Sequence, residues 1–338
     1  MAFKGLKLGP GQLWNKQCEY EGTIQHQGYS GQIHDHCSNV DAGGQMSALI
    51  IDGKETAQRL QERLKKRVAN LREKGIVPCL AVILVGENPA SLSYVSGKKK
   101  ALAETGMESR EIRLPSETPE NEVLEIIASL NRDPHVHGIL IQLPLPSHIN
   151  EDRLILSIDP AKDVDGFHPI SAGNLLLGKP GFIPGTPLGI IYLLREWNIP
   201  VKSKHIVVLG RSNIVGKPMA MLLIRKEQNA TVTVCHTGTI DLPYFIRQAD
   251  ILIAAAGRPG LVSKDMVKDG AAVIDVGVNR IEDPSKKKGY RLQGDVDYEG
   301  LLDKAGWITP VPGGVGPMTI AMLMHNLADA AEGIHSPI

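Results

Sequence analysis

Tyr94 and Lys98 stand four positions apart in the segment 89–105, so on a helix they share one face. Lys99 and Lys100 follow directly. Three adjacent ammonium groups cannot all point the same way round a helix. One turned inward would have its pKa lowered by desolvation and by like charge, which suits a general acid or base. The same residues also describe a solvated basic helix with a half-buried tyrosine. Gly97 costs a helix about 1 kcal/mol against alanine, and it leaves room for something to approach. Gln142 sits near the end of the apolar run 138–143. Ligands of open α/β sheets bind beyond the carboxyl ends of strands, so this amide is either a partner for a lysine or a structural cap. Lys162-Asp163-Val164-Asp165-Gly166 places two carboxylates two apart in a loop. They could bind a metal, hold a substrate's N–H groups or cap a turn, and the turn is the commonest role.

A second constellation lies at 206–219. A β-branched run at 206–209 ends on Gly210, Gly216 follows, and an apolar segment at 218–224 reads as a helix with Pro218 in its first turn. Strand, glycine turn and helix start can offer a dinucleotide pyrophosphate free backbone N–H groups. A glycine turn after a strand is also ordinary in any α/β protein. The next strand, 231–235, ends at His236-Thr237-Gly238-Thr239, with no carboxylate for ribose hydroxyls. Arg211, His236 and nearby hydroxyls are instead the setting a 2′-phosphate needs, which points to NADP over NAD. The run 310–317, P-V-P-G-G-V-G-P, combines fixed φ at proline with close backbone approach at glycine. It can line a cleft with main-chain groups and can hold a cis peptide bond.

These residues need strands and helices to bring them together. Strands are expected at 47–52, 80–85, 111–114 and 138–143, alternating with helices at 54–73, 89–105, 119–131 and 152–158. Residues 163–187 read as a loop-rich boundary, followed by a helix at 188–197. Then come the strand at 206–209, strands at 231–235, 251–255 and 272–276, and helices at 242–249, 264–267 and 319–331. The alternation predicts an α/β fold of two open, mostly parallel sheets with helices on both faces. The run 283–290, with Lys286, Lys287 and Lys288, reads as a solvated hairpin loop, because no aromatic or arginine stripe accompanies it.

Composition narrows the function classes. The 338 residues are 42% hydrophobic and 22% charged, enough for two cores. Lys+Arg and Asp+Glu are both 37, so no net field argues for nucleic acid or membrane as partner. No apolar run is long enough to span a bilayer. Cys18, Cys37, Cys79 and Cys235 form no C-x-x-C pair and read as reduced thiols of a cytoplasmic protein. Residues 1–45 are polar, rich in Gly, Gln and His, and without period; they read as a disordered or non-native extension. His34, Asp35, His36 and Cys37 within it resemble a metal cluster, but no second ligand pair follows, and no metal is expected.

Five stretches in order resemble the bifunctional methylenetetrahydrofolate dehydrogenase/cyclohydrolase family. They are V-G-E-N-P-A-S-L-S-Y-V-S-G-K at 85–98, G-I-L-I-Q-L-P-L-P at 138–146 and K-D-V-D-G-F-H-P at 162–169. G-R-S-N-I-V-G-K-P at 210–218 and I-T-P-V-P-G-G-V-G-P-M-T at 308–319 complete the set. The resemblance covers about 46–333. It implies a folate-binding catalytic domain at 46–187, rejoined by the C-terminal helix 318–333, and a Rossmann-type NADP-binding domain at 188–317. It implies oxidation of 5,10-methylenetetrahydrofolate with NADP, then hydrolysis to 10-formyltetrahydrofolate in one cleft, a step in one-carbon metabolism that feeds purine biosynthesis. Lys98 would be the general acid/base of hydrolysis, Gln142 its tuning partner, Tyr94 the residue ordering the folate and Asp165 the holder of the pterin. Ile141, Leu143, Pro312, Gly313 and Gly314 would flank the substrate. Gly210, Arg211, Ser212, Gly216, His236 and Thr237 would take the cofactor, with Val278 near the nicotinamide. The family also implies a homodimer. A monofunctional dehydrogenase lacks the need for Lys98 with Gln142, and a non-catalytic NADP-binding regulator lacks the need for the whole set.

Overall fold

The computed structural model describes residues 47–286 and 289–334, and for 89–94 the backbone alone. The expected extension 1–45, its His34–Cys37 cluster, and Lys287 and Lys288 lie outside the described residues.

The first half alternates strands β1 (Leu49–Ile50), β2 (Cys79–Val85), β3 (Glu108–Leu114) and β4 (Gly138–Ile141) with helices. The helices are α1 (Gly53–Glu73), α2 (Pro89–Thr105), α3 (Glu120–Arg132), α4 (Glu151–Ser157), α5 (Pro169–Leu177) and α6 (Gly185–Glu196). The second half holds β5 (His205–Leu209), α7 (Gly216–Leu223), β6 (Thr231–Cys235), α8 (Leu242–Ile246), β7 (Ile251–Ala254) and β8 (Ala272–Asp275). It continues with the antiparallel hairpin β9 (Asn279–Glu282) and β10 (Tyr290–Gln293), then α9 (Tyr298–Leu301), β11 (Trp307–Ile308) and α10 (Val315–Ala331).

Two parallel sheets result. The smaller has the order β3-β2-β4 and the larger β1-β11-β8-β7-β5-β6. From β5 onward the larger order is that of a doubly wound sheet. The order in which strands are added reverses between β5 and β7, where such folds open a ligand crevice. The sequence reading places the strand at 47–52 at the head of the first sheet. Only Leu49–Ile50 is strand, and it pairs with β11 at the edge of the larger sheet, Leu49 opposite Trp307. From β1 the chain therefore crosses from the larger sheet to the smaller along α1.

The cores follow from period 2. Leu80, Val82 and Leu84 of β2 face a core shared with Ile206 and Val208 of β5 and with α1, α6 and α10. Ala81, Ile83 and Val85 face the opposite way, onto Val123 and Ile127 of α3 and Leu154 of α4. Val207 and Leu209 likewise meet Leu252 and Val273 on the outer face of the larger sheet. Both faces of the central strands are covered, as parallel sheets require. The last helix returns to the first sheet, packing on α1, α2, α6 and β2. Arg67 of α1 locks its end through Nη2 to Asp329 (2.7 Å) and Nε to Glu332 (2.7 Å).

Three expectations are corrected. The region 163–187 is not all loop, because α5 fills 169–177 with His168 as N-cap, Pro169 in the first turn and Gly178 at φ +65° as C-cap. The helix expected at 264–267 is a single 3₁₀ turn, Lys264–Met266. The final helix begins at Val315, so Gly316 and Pro317 belong to its first turn; proline there forfeits no hydrogen bond.

Candidate active site

β4 ends at Ile141, and Gln142 follows with its backbone N–H still donated to Ile83 O of β2 (2.9 Å). Its Nε2 donates to Leu143 O (2.9 Å), which leaves Oε1 as the free acceptor of the amide. Lys98 of α2 donates to that oxygen at 3.1 Å. The sequence left Gln142 as lysine partner or cap, and the geometry makes it a lysine partner. Lys98 is the one of the three lysines turned inward. Lys99 and Lys100 are exposed and pair with Glu111 and Glu104 at 3.7 and 3.8 Å. Burial lowers the Lys98 pKa, and the nearby Asp165 carboxylate pulls it back up. Asp165 mirrors this, raised by burial and lowered by the Lys98 charge. Tyr94 lies one turn earlier on α2, but its side chain is outside the described residues.

The two carboxylates of the D-x-D-G loop divide the roles that the sequence left open. Asp163 caps the turn. It accepts from Phe167 N (3.1 Å), His168 N (2.9 Å) and Ser171 Oγ (2.7 Å). Burial nevertheless pushes its pKa up to about 6. Asp165 is the one within electrostatic reach of Lys98. Its loop is fixed by α10, where Asn326 Nδ2 donates to Val164 O (2.8 Å) and Ile183 O (3.0 Å). Gly166 has φ +70°, and a Cβ there would press on the Pro184 nitrogen at 2.8 Å.

A cleft of about 720 Å³ reaches α2 at Gly97, the residue before Lys98. Pro312, Gly313 and Gly314 form one wall, Gly97 another, and Asp275 and Val278 a third. Lys98, Gln142 and Asp165 are not among its lining residues. Successive helix residues are about 100° apart, so Gly97 faces the cleft while Lys98 turns toward β4. The Pro/Gly loop carries a cis bond, which its prolines allow, at Val311–Pro312, and a further one lies at Leu143–Pro144. Gly313 O accepts from Lys54 N (3.0 Å), and a Cβ on Gly53 would overlap Gly314 O. The loop is thereby seated on the first turn of α1. Ile141 and Leu143 stay half-buried beside Gln142.

The second constellation sits at the crevice of the larger sheet. Gly210 has φ +128°, and a Cβ there would overlap Ala255 O at the end of β7. A Cβ on Gly216 would overlap Gly210 O. The two glycines make a tight cradle that any side chain would fill, which fits a dinucleotide backbone. The helix start is less open than the spacing suggests. Ser212 Oγ accepts from Val215 N (3.2 Å) and Gly216 N (3.4 Å), and Ser212 O accepts from Lys217 N (3.0 Å). The expected free N–H groups are thus taken by the loop's own turn. Leu209 pairs with Cys235, so Arg211 and His236-Thr237 emerge side by side from neighbouring strand ends. His236 Nδ1 accepts from Gly238 N (3.0 Å), and the backbone N–H of His236 donates to Thr239 Oγ1 (2.9 Å). Val278 is 55% exposed, on the cleft.

Sequence reasoning missed Asn326, Asp275 and Asp295. The first is a lone amide in an apolar helix run, and the second ends the strand A-V-I-D. Polar residues placed so would have been the signal.

Comparison with known proteins points one way. Residues 51–165 match the profile of the tetrahydrofolate dehydrogenase/cyclohydrolase catalytic domain, and 184–335 that of its NAD(P)-binding domain. The chain is 56% identical over 293 residues to the bifunctional protein FolD of Prosthecochloris aestuarii, covering 85% of this chain and 99% of that protein. It resembles the crystal structure of bifunctional FolD from Campylobacter jejuni, with TM-score 0.81, 49% identity, and 85% and 99% of the two chains covered. It also resembles the Trypanosoma brucei methylenetetrahydrofolate dehydrogenase-cyclohydrolase complexed with NADP and inhibitor, with TM-score 0.80, 40% identity, and 85% and 98% covered.

Proposed function

The chain belongs to the tetrahydrofolate dehydrogenase/cyclohydrolase family, and from that membership we propose that it oxidises 5,10-methylenetetrahydrofolate with NADP and hydrolyses the product to 10-formyltetrahydrofolate. The observation that carries the second activity is the Lys98–Gln142 bond at 3.1 Å with Asp165 in electrostatic reach. A dehydrogenase has no use for such a proton carrier.

The bound nicotinamide supplies the acceptor for the hydride that leaves the methylene bridge. The chain's part in that step is placement. The Gly210–Gly216 cradle and the Arg211/His236 edge would hold the cofactor, and the Pro312–Gly314 loop with Val278 would set the facing ring. The methenyl carbon left behind is attacked by water. Lys98 as neutral amine takes the proton of the attacking water and as ammonium returns it to the departing N5; the C–N5 bond breaks as the carbinol hydroxyl becomes the formyl C=O, and the hydroxyl proton goes to solvent, carrying off the charge of the methenyl cation. Gln142 fixes the Nζ position, and Asp165 holds the pterin while tempering the Lys98 pKa. Tyr94 orders the folate ring. Arg211 and His236 favour NADP over NAD.

The reading extends to assembly and place. β6 is the edge strand of the larger sheet, and Ile240 (89% exposed) and Tyr244 (55%) stand beside it, which supports pairing of two copies as a homodimer. Among the described residues no helix is long and apolar enough to cross a membrane, and Cys79 and Cys235 are free thiols. Both agree with a cytoplasmic enzyme of one-carbon metabolism.

The test is a pair of assays on the purified chain. One supplies 5,10-methylenetetrahydrofolate with NADP or NAD, and the other supplies the methenyl compound alone. NADP reduction faster than NAD reduction, with accelerated methenyl hydrolysis, is the expected result. Reduction without hydrolysis would leave a monofunctional dehydrogenase, and neither activity would leave a binding protein.

A further inference from the structure

Two carboxylates that this reaction does not use stand in the cofactor wall of the cleft, Asp275, and behind it, Asp295. Asp275 ends β8 and Asp295 follows β10; they are 2% and 0% exposed. Asp295 Oδ2 accepts from Ala256 N (2.6 Å) and Gly257 N (2.8 Å). Its Oδ1 accepts from Arg258 N (2.9 Å) and Asn279 Nδ2 (2.8 Å). Asp275 Oδ1 accepts from Gly277 N (2.9 Å) and Asp295 N (2.9 Å), and its Oδ2 from Val296 N (3.1 Å). The backbone N–H of Asp275 donates to Thr309 Oγ1 (2.7 Å), one residue before the Pro/Gly loop. Glycines make the space. A Cβ on Gly277 would overlap the Asp295 carboxylate, and one on Gly294 the Asp275 carboxylate.

The turns held this way follow β7, whose carboxyl end flanks the crevice, and its neighbour β8. Asp295 fixes 256–258, next to the Ala255 oxygen that abuts Gly210. Asp275 fixes 277, one residue before Val278. We propose that Asp275 and Asp295 are positioning residues for the dehydrogenase step, a buried clamp that sets the cofactor wall against the substrate loop. The proposal rests on the NADP-binding reading above. It assigns the clamp no part in hydrolysis, whose groups hang from β4, α2 and the 163–166 loop.

Each Asp295 oxygen is met by two N–H donors, so an amide at 295 would set donor against donor. Asp295→Asn in the full chain is therefore expected to raise the KM for NADP at least about tenfold and to lower the dehydrogenase kcat. Hydrolysis of the methenyl compound without cofactor should stay within about twofold of wild type, because the fold is intact. An unchanged KM and kcat would overturn the clamp. So would a parallel fall in both activities, which marks lost folded protein rather than misplaced cofactor. If Asp295→Asn does not fold, Asn279→Ala carries the test, removing one donor from Oδ1. A rise in the KM for NADP with hydrolysis unmoved supports the clamp, and no rise overturns it. Wild type is run alongside. A wild type without NADP reduction would sink the functional reading together with the clamp, whereas an active wild type with unaffected variants sinks the clamp alone.

Discussion

The small-sheet site and the large-sheet crevice solve their problems with different materials. Around β4 the proposed work falls to half-buried side chains: the ionisable Lys98 against the amide of Gln142, with Asp165 in reach. Around β5 and β7 it falls to backbone, shaped by glycines that exclude any Cβ and by carboxylates spent on N–H groups. The difference follows from the chemistry. Moving a proton needs a group whose charge can change at a fixed point. Placing a cofactor for transfer needs a surface whose shape cannot change. The two regions should therefore fail separately and by different kinds of substitution.

The largest separation is expected from Gly210→Ala. The added methyl overlaps Ala255 O in a backbone conformation that L side chains rarely adopt. Dehydrogenase kcat/KM should fall about 100-fold, with hydrolysis kept, as read by the two assays on one preparation. Equal loss of both would erase the division. Next is Gln142→Ala, which removes the side-chain acceptor that Lys98 has among the described residues. A lost charge-assisted hydrogen bond of about 1.5–3 kcal/mol should slow hydrolysis at least about tenfold and spare NADP reduction at saturating substrate.

Asp165→Asn sharpens the comparison through pH. The Asp165 charge raises the Lys98 pKa against the larger lowering by burial. Without it the pKa falls further, so the neutral amine is present at lower pH. The rising limb of kcat for hydrolysis should move to lower pH. A shift to higher pH, or none, contradicts the assignment of Lys98 as base. The smallest effect on chemistry is expected from Asn326→Ala. It leaves Val164 O and Ile183 O without their buried donor, at about 1–3 kcal/mol of stability. A lower midpoint in chemical denaturation with both activities reduced in proportion would show a shared support rather than a member of either site.

How much of this was legible in the sequence depends on what carried the signal. Strands β2, β5 and β7 announce themselves because both faces are apolar, and α1 because its apolar residues recur on one face. Leu49–Ile50 reads as a strand but not as a partner of Trp307, since a sheet edge is chosen by tertiary pairing that no local pattern encodes. α5 was hidden because Pro169, Gly173 and Gly178 resemble loop residues, whereas proline starts the helix and Gly178 ends it. In the site, the i, i+4 spacing placed Lys98 beside Tyr94 on one helix. Which of three lysines turns inward depends on β4, 44 residues away in sequence. Asp163 and Asp165 look alike in a loop; only three donors around one of them tell cap from charge partner. The Asp275–Asp295 clamp joins residues whose link exists only after two turns have folded.

The most direct test of the central claim is Lys98→Met, followed in both assays beside wild type. The side chain keeps its length and loses its amine, so no proton can be carried at that point. Hydrolysis of the methenyl compound should fall to the uncatalysed rate while NADP is still reduced with 5,10-methylenetetrahydrofolate. Hydrolysis persisting near the wild-type rate would contradict the account, because the proton would then be moving through some other group.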